Sequence, residues 1–158
     1  MKLVVLGCGR VGSTLASLMF RDGHQVTVID YNADSFRRLP SDYQGEKVLG
    51  NGIDEDVLRK AGVGKADAFV ALTEGDNRNI MAAQVVKLRF QVPKVIARIY
   101  DPIRAEAYRE MGIETICTTA VGAGALRDYI LDRPLGSVQD YLGLCQCLLE
   151  PPQARSKD

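Results

Sequence analysis

Short aliphatic runs recur along the chain, each followed by a polar or glycine-rich break and then by apolar positions at helical spacing. The runs near 2–6, 25–29, 45–49, 67–72, 94–98 and 114–117 have few polar interruptions, the pattern of strands covered on both faces. Between the first two, Val11, Leu15, Leu18 and Met19 stand at i, i+4, i+7 and i+8. They predict one apolar stripe on a helix that packs on the sheet and stops at Asp22-Gly23. Asp76 or Asn77 caps the longest predicted helix, whose buried stripe is Met81, Val85 and Leu88 and whose end is set by Val92-Pro93. Pro102 opens a helix through about Glu110, and Leu126, Tyr129 and Ile130 line the last helix before Pro134. Strands and helices that alternate through short connections predict the α/β class. The expected architecture is a doubly wound parallel sheet of six strands in the order 3-2-1-4-5-6, with a ligand crevice where the order reverses.

The polar breaks place the chemistry. Gly7-Cys8-Gly9-Arg10-Val11-Gly12 leads from the first strand into the first helix as a GxGxxG turn. Glycines at this spacing allow a tight turn, close backbone approach to a diphosphate and close helix packing, which makes the fold Rossmann-type. The helix that follows aims its first N–H groups and the positive end of its dipole at a bound phosphate. Asp30, followed by Tyr31, ends the second strand and is placed to accept hydrogen bonds from ribose hydroxyls. A carboxylate there repels a 2′-phosphate, so NADP is disfavoured while NAD(H), ATP, ADP and AMP remain open. Gly50-Asn51-Gly52, Thr73-Glu74 and Arg98 also fall at carboxyl ends of strands. The Gly50-Asn51-Gly52 turn stands where the adenine side of a dinucleotide would lie, and Asp54 after it reads equally as a helix cap. Arg10 has two readings, a guanidinium reaching a phosphate or a solvated surface side chain. Arg37-Arg38 reads as a solvated helix face.

Composition narrows the function. At 158 residues the chain is long enough for a buried core, and with Lys plus Arg and Asp plus Glu at 20 each, no net charge draws it to nucleic acid or to an anionic membrane. No apolar run approaches the roughly 20 residues of a membrane span, and Met1-Lys2 leads directly into the first strand, so a cytoplasmic location is expected. Cys8, Cys117, Cys145 and Cys147 form no CxxC pair and have no His partner at metal-ligand spacing, so reduced thiols and no metal site are expected. Cys145 and Cys147 would share a face if that segment were a strand. The one histidine, His24, sits in the turn before the second strand, opposite the crevice, and no Tyr has a Lys four residues on. Without an acid or base for hydride chemistry, and with no second domain for a substrate, binding without turnover is the expected function. A small NAD-dependent oxidoreductase is the alternative. Residues 134–158, with an apolar stretch Tyr141–Leu149 before Pro151-Pro152, are expected as a partly flexible extension whose apolar part seeks a partner surface.

Several segments together resemble the TrkA N-terminal domain, the nucleotide-binding half of the RCK domain that regulates potassium conductance. They are the loop Gly7–Gly12, Val28-Ile29-Asp30, Gly50-Asn51-Gly52, the stretch Asp56–Thr73 with Asp76-Asn77, and Val95–Ile99. The likeness covers about residues 1–133. It implies a cytoplasmic, non-enzymatic regulatory subunit of a Trk or Ktr type potassium transporter or of a potassium channel, peripheral to the inner membrane face through that partner. It also implies a homodimer or higher oligomer, or pairing with a companion RCK protein. By position, Gly7, Gly9 and Gly12 would hold phosphates of NAD(H) or ATP/ADP, Arg10 would approach terminal phosphates and Asp30 would take the ribose, with Val11, Tyr31 and Glu74 also assigned to the nucleotide site. Asn51, Gly52, Thr73 and Asn77 would surround the adenine side, and Arg98 would approach the nucleotide from the fifth strand.

Overall fold

A computed structural model describes residues 1–147, of which the side chains are described through residue 144. Its six strands are β1 (Lys2–Leu6), β2 (Gln25–Asp30), β3 (Glu46–Leu49), β4 (Ala68–Ala71), β5 (Lys94–Arg98) and β6 (Glu114–Ile116). They form one parallel sheet in the order β3-β2-β1-β4-β5-β6, within a residue or two of the expected bounds. The helices are α1 (Arg10–Arg21), α2 (Glu55–Lys60), α3 (Asp76–Val85), α4 (Pro102–Glu110), α5 (Thr118–Ile130) and α6 (Val138–Cys147). None of the described helices is long and apolar enough to cross a membrane. Two compact units divide the chain, Met1–Arg98 and a second that begins at Ile99.

In the first unit, Leu3, Val5, Val26, Val28, Ala68 and Val70 bury against Cys8 and Ala16, with Leu15 and Met19 of α1 packed on them. Burial of this aliphatic surface, worth roughly 25 cal/mol per Å² removed from water, holds the sheet beneath the crevice. Tyr43 seals one side: its hydroxyl donates to the Val26 carbonyl (2.8 Å), and its ring lies 5.1 Å from that of Phe20.

The helix faces differ from the expected stripes. Of the α1 stripe, Val11 and Leu18 are exposed, and the helix is buried through Gly12, Ser13 and Ala16. On α3, Met81 and Leu88 are exposed and Val85 is half-buried, while Asn79, Ile80, Ala82 and Ala83 face inward. Leu126, Tyr129 and Ile130 of α5 are exposed as well, and Ala120, Gly124 and Asp128 are buried instead. Small side chains let helix axes approach their neighbours, so large apolar residues turn outward. Gly75 rather than Asp76 or Asn77 holds the N-cap position of α3, which continues as one wider turn, Val86–Phe90, before Gln91 (φ 54°) ends it.

The second unit shows what covers part of the apolar stretch after residue 134. Tyr141 and Leu142 of α6 are buried, and a Cβ on Gly124 of α5 would overlap the Tyr141 ring. The Tyr141 hydroxyl accepts from the Gly136 amide (2.7 Å) and donates to Asp128 Oδ2 (3.1 Å). Burial opposes ionisation of Asp128, but the Tyr141 hydroxyl, Arg127 and the Gly136 amide outweigh it and hold its carboxyl below the usual range. A carboxyl lowered in the folded state stabilises above its unfolded value, about 3.9, and that contribution is lost as pH falls through the lowered folded value. Tyr141→Phe removes the central hydroxyl, and protection of α6 amides against hydrogen exchange is expected to fall about tenfold. Unchanged protection would mean that packing on Gly124 alone holds the helix. The segment through Cys147 is helical and not a strand, so the condition for Cys145 and Cys147 sharing a strand face is not met. Their side chains, Leu149 and Pro151-Pro152 lie outside the described residues.

Candidate functional site

The sheet order reverses at β1, which has β2 on one side and β4 on the other. At its carboxyl end the backbone turns through Gly7, whose φ of 101° suits glycine and whose Cβ would stand 2.9 Å from the Leu72 carbonyl. The Gly7 amide donates to the Ile29 carbonyl (2.7 Å) and the Leu72 amide to the Leu6 carbonyl (2.7 Å), so the turn is held by both flanking strands. A Cβ on Gly12 would overlap the Gly7 carbonyl oxygen. Around a Cβ on Gly9 there is nothing within 4 Å. The first helical bond of α1 runs from the Ser13 amide to the Gly9 carbonyl (2.9 Å), so the amides of Arg10, Val11 and Gly12 have no partner within the helix. An open gap beside a helix head with its amides unspent is a place for an anion. Arg10 is the first residue of α1 and is exposed.

Asp30 is 8% exposed and ties the loop to β2. One carboxylate oxygen accepts the Cys8 amide (2.7 Å) and the other the Asn32 amide (2.9 Å). Each ionised oxygen has further acceptor capacity, so the same carboxylate can take a hydroxyl at the crevice. Burial, reinforced by the Asp30 charge, pushes the Cys8 thiol up to about 11. It stays protonated at neutral pH, and the backbone of Cys8 rather than its sulfur serves the site.

Beyond β3, Gly52 is buried, and its Cβ would overlap the Leu6 side chain, which brings the 50–52 turn onto the end of β1. The Gly50 amide donates to the Asp30 carbonyl (2.9 Å). Asn51 is exposed and its side chain accepts from the Ile53 amide (3.4 Å), while Asp54 caps α2.

Asn79, which sequence reasoning passed over, organises the end of β4. Fully buried, it accepts at Oδ1 from the amide (2.8 Å) and hydroxyl (2.7 Å) of Thr73 and donates to the carbonyls of Thr73 (3.0 Å) and Arg98 (2.9 Å). Arg98 is also buried, with its guanidinium donating to the carbonyls of Leu72 (3.0 Å) and Thr73 (2.7 Å). It therefore holds the backbone beneath the crevice. Glu74 and Asn77 stand exposed where α3 begins. Tyr31, 64% exposed after β2, meets a second unpredicted residue, since the Arg78 guanidinium lies over its ring at 5.4 Å from the centroid. The signal for Asn79 was its register with Ala82, Ala83 and Val86, at i, i+3, i+4 and i+7, a stripe hidden by larger apolar residues on the other faces.

A glycine turn at the switch point of a parallel sheet, an acid ending the neighbouring strand and a helix head aimed between them define a Rossmann-type α/β domain. Within that class, the family model of the TrkA-N domain matches residues 3–119, and the chain belongs to that family. The Trk system potassium uptake protein TrkA of Streptomyces coelicolor is 52% identical over 118 residues, 75% of this chain and 53% of that relative. A TrkA homolog of Methanothermobacter thermautotrophicus is 34% identical over 134 residues, 85% of this chain and 62% of that relative. The chain thus spans between half and two thirds of the length of these relatives. The fold is shared with the Shewanella denitrificans Kef CTD in AMP-bound form (TM-score 0.67, 19% identity, 94% of this chain and 91% of that one). It is shared also with the GsuK channel bound to NAD (TM-score 0.65, 23% identity, 79% of this chain and 22% of that one).

Proposed function

We propose that the crevice binds NAD(H) or ATP/ADP, with AMP as the smallest ligand, and that its occupancy regulates a membrane potassium transporter or channel without turnover of the nucleotide. The observation that carries this reading is the open space at Gly9, beside unspent amides of α1 and a buried, aligned Asp30. Phosphates lie over Gly7, Gly9, Val11 and Gly12 with Arg10 toward the terminal one, and the ribose lies on Asp30. Tyr31, Asn51, Gly52, Thr73, Glu74 and Asn77 rim the adenine side, and Arg98 serves it through the carbonyls it holds. AMP in the Kef domain and NAD in the GsuK channel support this class of ligand, and the names of the TrkA relatives support a potassium-uptake partner.

Binding without turnover fits the side chains present. Cys8 is a protonated thiol, and His24 sits in the turn before β2, at the opposite end of the sheet. Exposed apolar residues, Met81 and Leu88 in the first unit and Leu126, Tyr129 and Ile130 in the second, support assembly of copies or with a companion RCK chain beneath the membrane partner. Ligands that fit two conformations of such an assembly unequally shift their populations, and that difference in affinity is what acts on the pore.

Calorimetric titration with NAD⁺, NADH, ATP and ADP is expected to give saturable binding of at least one, with NADPH weaker than NADH because Asp30 repels its 2′-phosphate. Absence of binding by all four would overturn the proposal.

A further inference from the structure

Arg78 is an exposed arginine in the first turn of α3, and no motif of the sequence singles it out. Its position gives it a role. β2 and β4 flank β1 on opposite sides; Tyr31 follows β2, and Arg78 lies on the helix that follows β4. A contact between the two therefore joins the segments that follow the two strands flanking β1. The Arg78 guanidinium lies over the Tyr31 ring, 5.4 Å from its centroid. The Arg78 side chain makes this contact and is itself exposed. A guanidinium is planar, always charged and weakly hydrated, and it stacks on aromatic faces as readily as it pairs with anions.

We propose that Tyr31 and Arg78 form the seat of the nucleotide base: the purine stacks on the outer face of the Arg78 guanidinium, and the tyrosine ring backs the inner face. The inference rests on the nucleotide reading above and assigns the residues that select a purine within it. Tyr31 follows Asp30 directly in the chain, so the proposed seat adjoins the carboxylate proposed to take the sugar. Because the tyrosine already orders the guanidinium, less side-chain freedom is lost when the base arrives. A two-ring base presents a larger and more polarisable face to the cation and the tyrosine behind it than a one-ring base, which gives the seat its preference.

The test is calorimetric competition between ADP and CDP on the full chain, comparing Arg78→Ala, Arg78→Lys and Tyr31→Ala with the unaltered protein. Both side chains are exposed, and matching melting curves confirm that each variant folds. Arg78→Ala is expected to weaken ADP about fivefold to tenfold and to narrow the ADP-to-CDP ratio. Arg78→Lys keeps the charge without the plane and should remain weak for ADP. Tyr31→Ala should lose part of the preference. An unchanged ADP affinity in Arg78→Ala, full rescue by lysine, or equal weakening of ADP and CDP would overturn the seat and leave the nucleotide site standing. Failure of the unaltered chain to bind ADP, NAD⁺, NADH or ATP would remove the nucleotide reading itself.

Discussion

Gly12→Ala is expected to lose both nucleotide binding and a large part of its stability, whereas Gly9→Ala keeps its fold and loses only the ligand. In a helix interior alanine is favoured over glycine by about 1 kcal/mol, so by helix propensity alone Gly12→Ala would stabilise the chain. The local geometry reverses that sign. A methyl group on Gly12 overlaps the Gly7 carbonyl oxygen, a backbone atom pinned by the bonds that fix the turn to β2 and β4. The helix must withdraw or the turn must open, at a cost of about 1–3 kcal/mol or more. At Gly9 the backbone is extended and nothing lies within 4 Å of the added carbon, so the melting temperature should hold. The space the methyl takes is the space proposed for the diphosphate. Thermal melts of both variants, paired with titration by whichever nucleotide the unaltered chain binds, separate the cases. Equal melting temperatures for the two variants would contradict the packing argument, and undiminished binding by Gly9→Ala would place the phosphates elsewhere.

Asn79→Ala should be the most damaging single change in the first unit that removes no ligand contact. Its amide makes four hydrogen bonds, three to Thr73 and one to the Arg98 carbonyl, in a fully buried setting. Truncation strips the Thr73 amide and hydroxyl of this acceptor and the carbonyls of Thr73 and Arg98 of this donor. Each buried polar group left unsatisfied costs about 1–3 kcal/mol, so a loss of about 3–5 kcal/mol is expected. That is a large share of the roughly 5–15 kcal/mol that holds a domain together. Urea unfolding should show a lower midpoint with an unchanged slope. A loss below about 1 kcal/mol would mean that water or a shifted side chain replaces the amide. Thr73 is one of the residues proposed to rim the adenine side, so a stable Asn79 variant should also bind nucleotide more weakly through the displaced backbone.

The strands were legible because strands of a parallel sheet covered on both faces must be apolar almost throughout. Leu3–Leu6, Val26–Ile29 and Ala68–Leu72 therefore stand out without any knowledge of their neighbours. Gly7, Gly9, Gly12 and Asp30 were legible for a related reason. They serve the backbone within one strand–turn–helix–strand unit, and spacing along the chain records that geometry directly. Helix faces were not. On α3 apolar residues occur on several sides, and the choice between Met81-Val85-Leu88 and Ile80-Ala82-Ala83-Val86 depends on how closely the helix approaches the sheet. That distance is a property of the assembled layers.

Arg98 belongs to the same category. A lone arginine at the end of a strand suggests a hand reaching for a phosphate, yet its guanidinium is held by the carbonyls of Leu72 and Thr73. By itself the sequence determined the parallel sheet, its strand order and the position of the glycine turn opposite Asp30, because these follow from residue type at fixed local spacing. Only the tertiary structure decided the burial of Asn79 and Arg98, the outward turn of Met81, Leu88 and Ile130, and the meeting of Tyr31 with Arg78. Each depends on which elements the fold places side by side, and the hydrogen-bond and packing demands at such contacts arise only once both partners are in place.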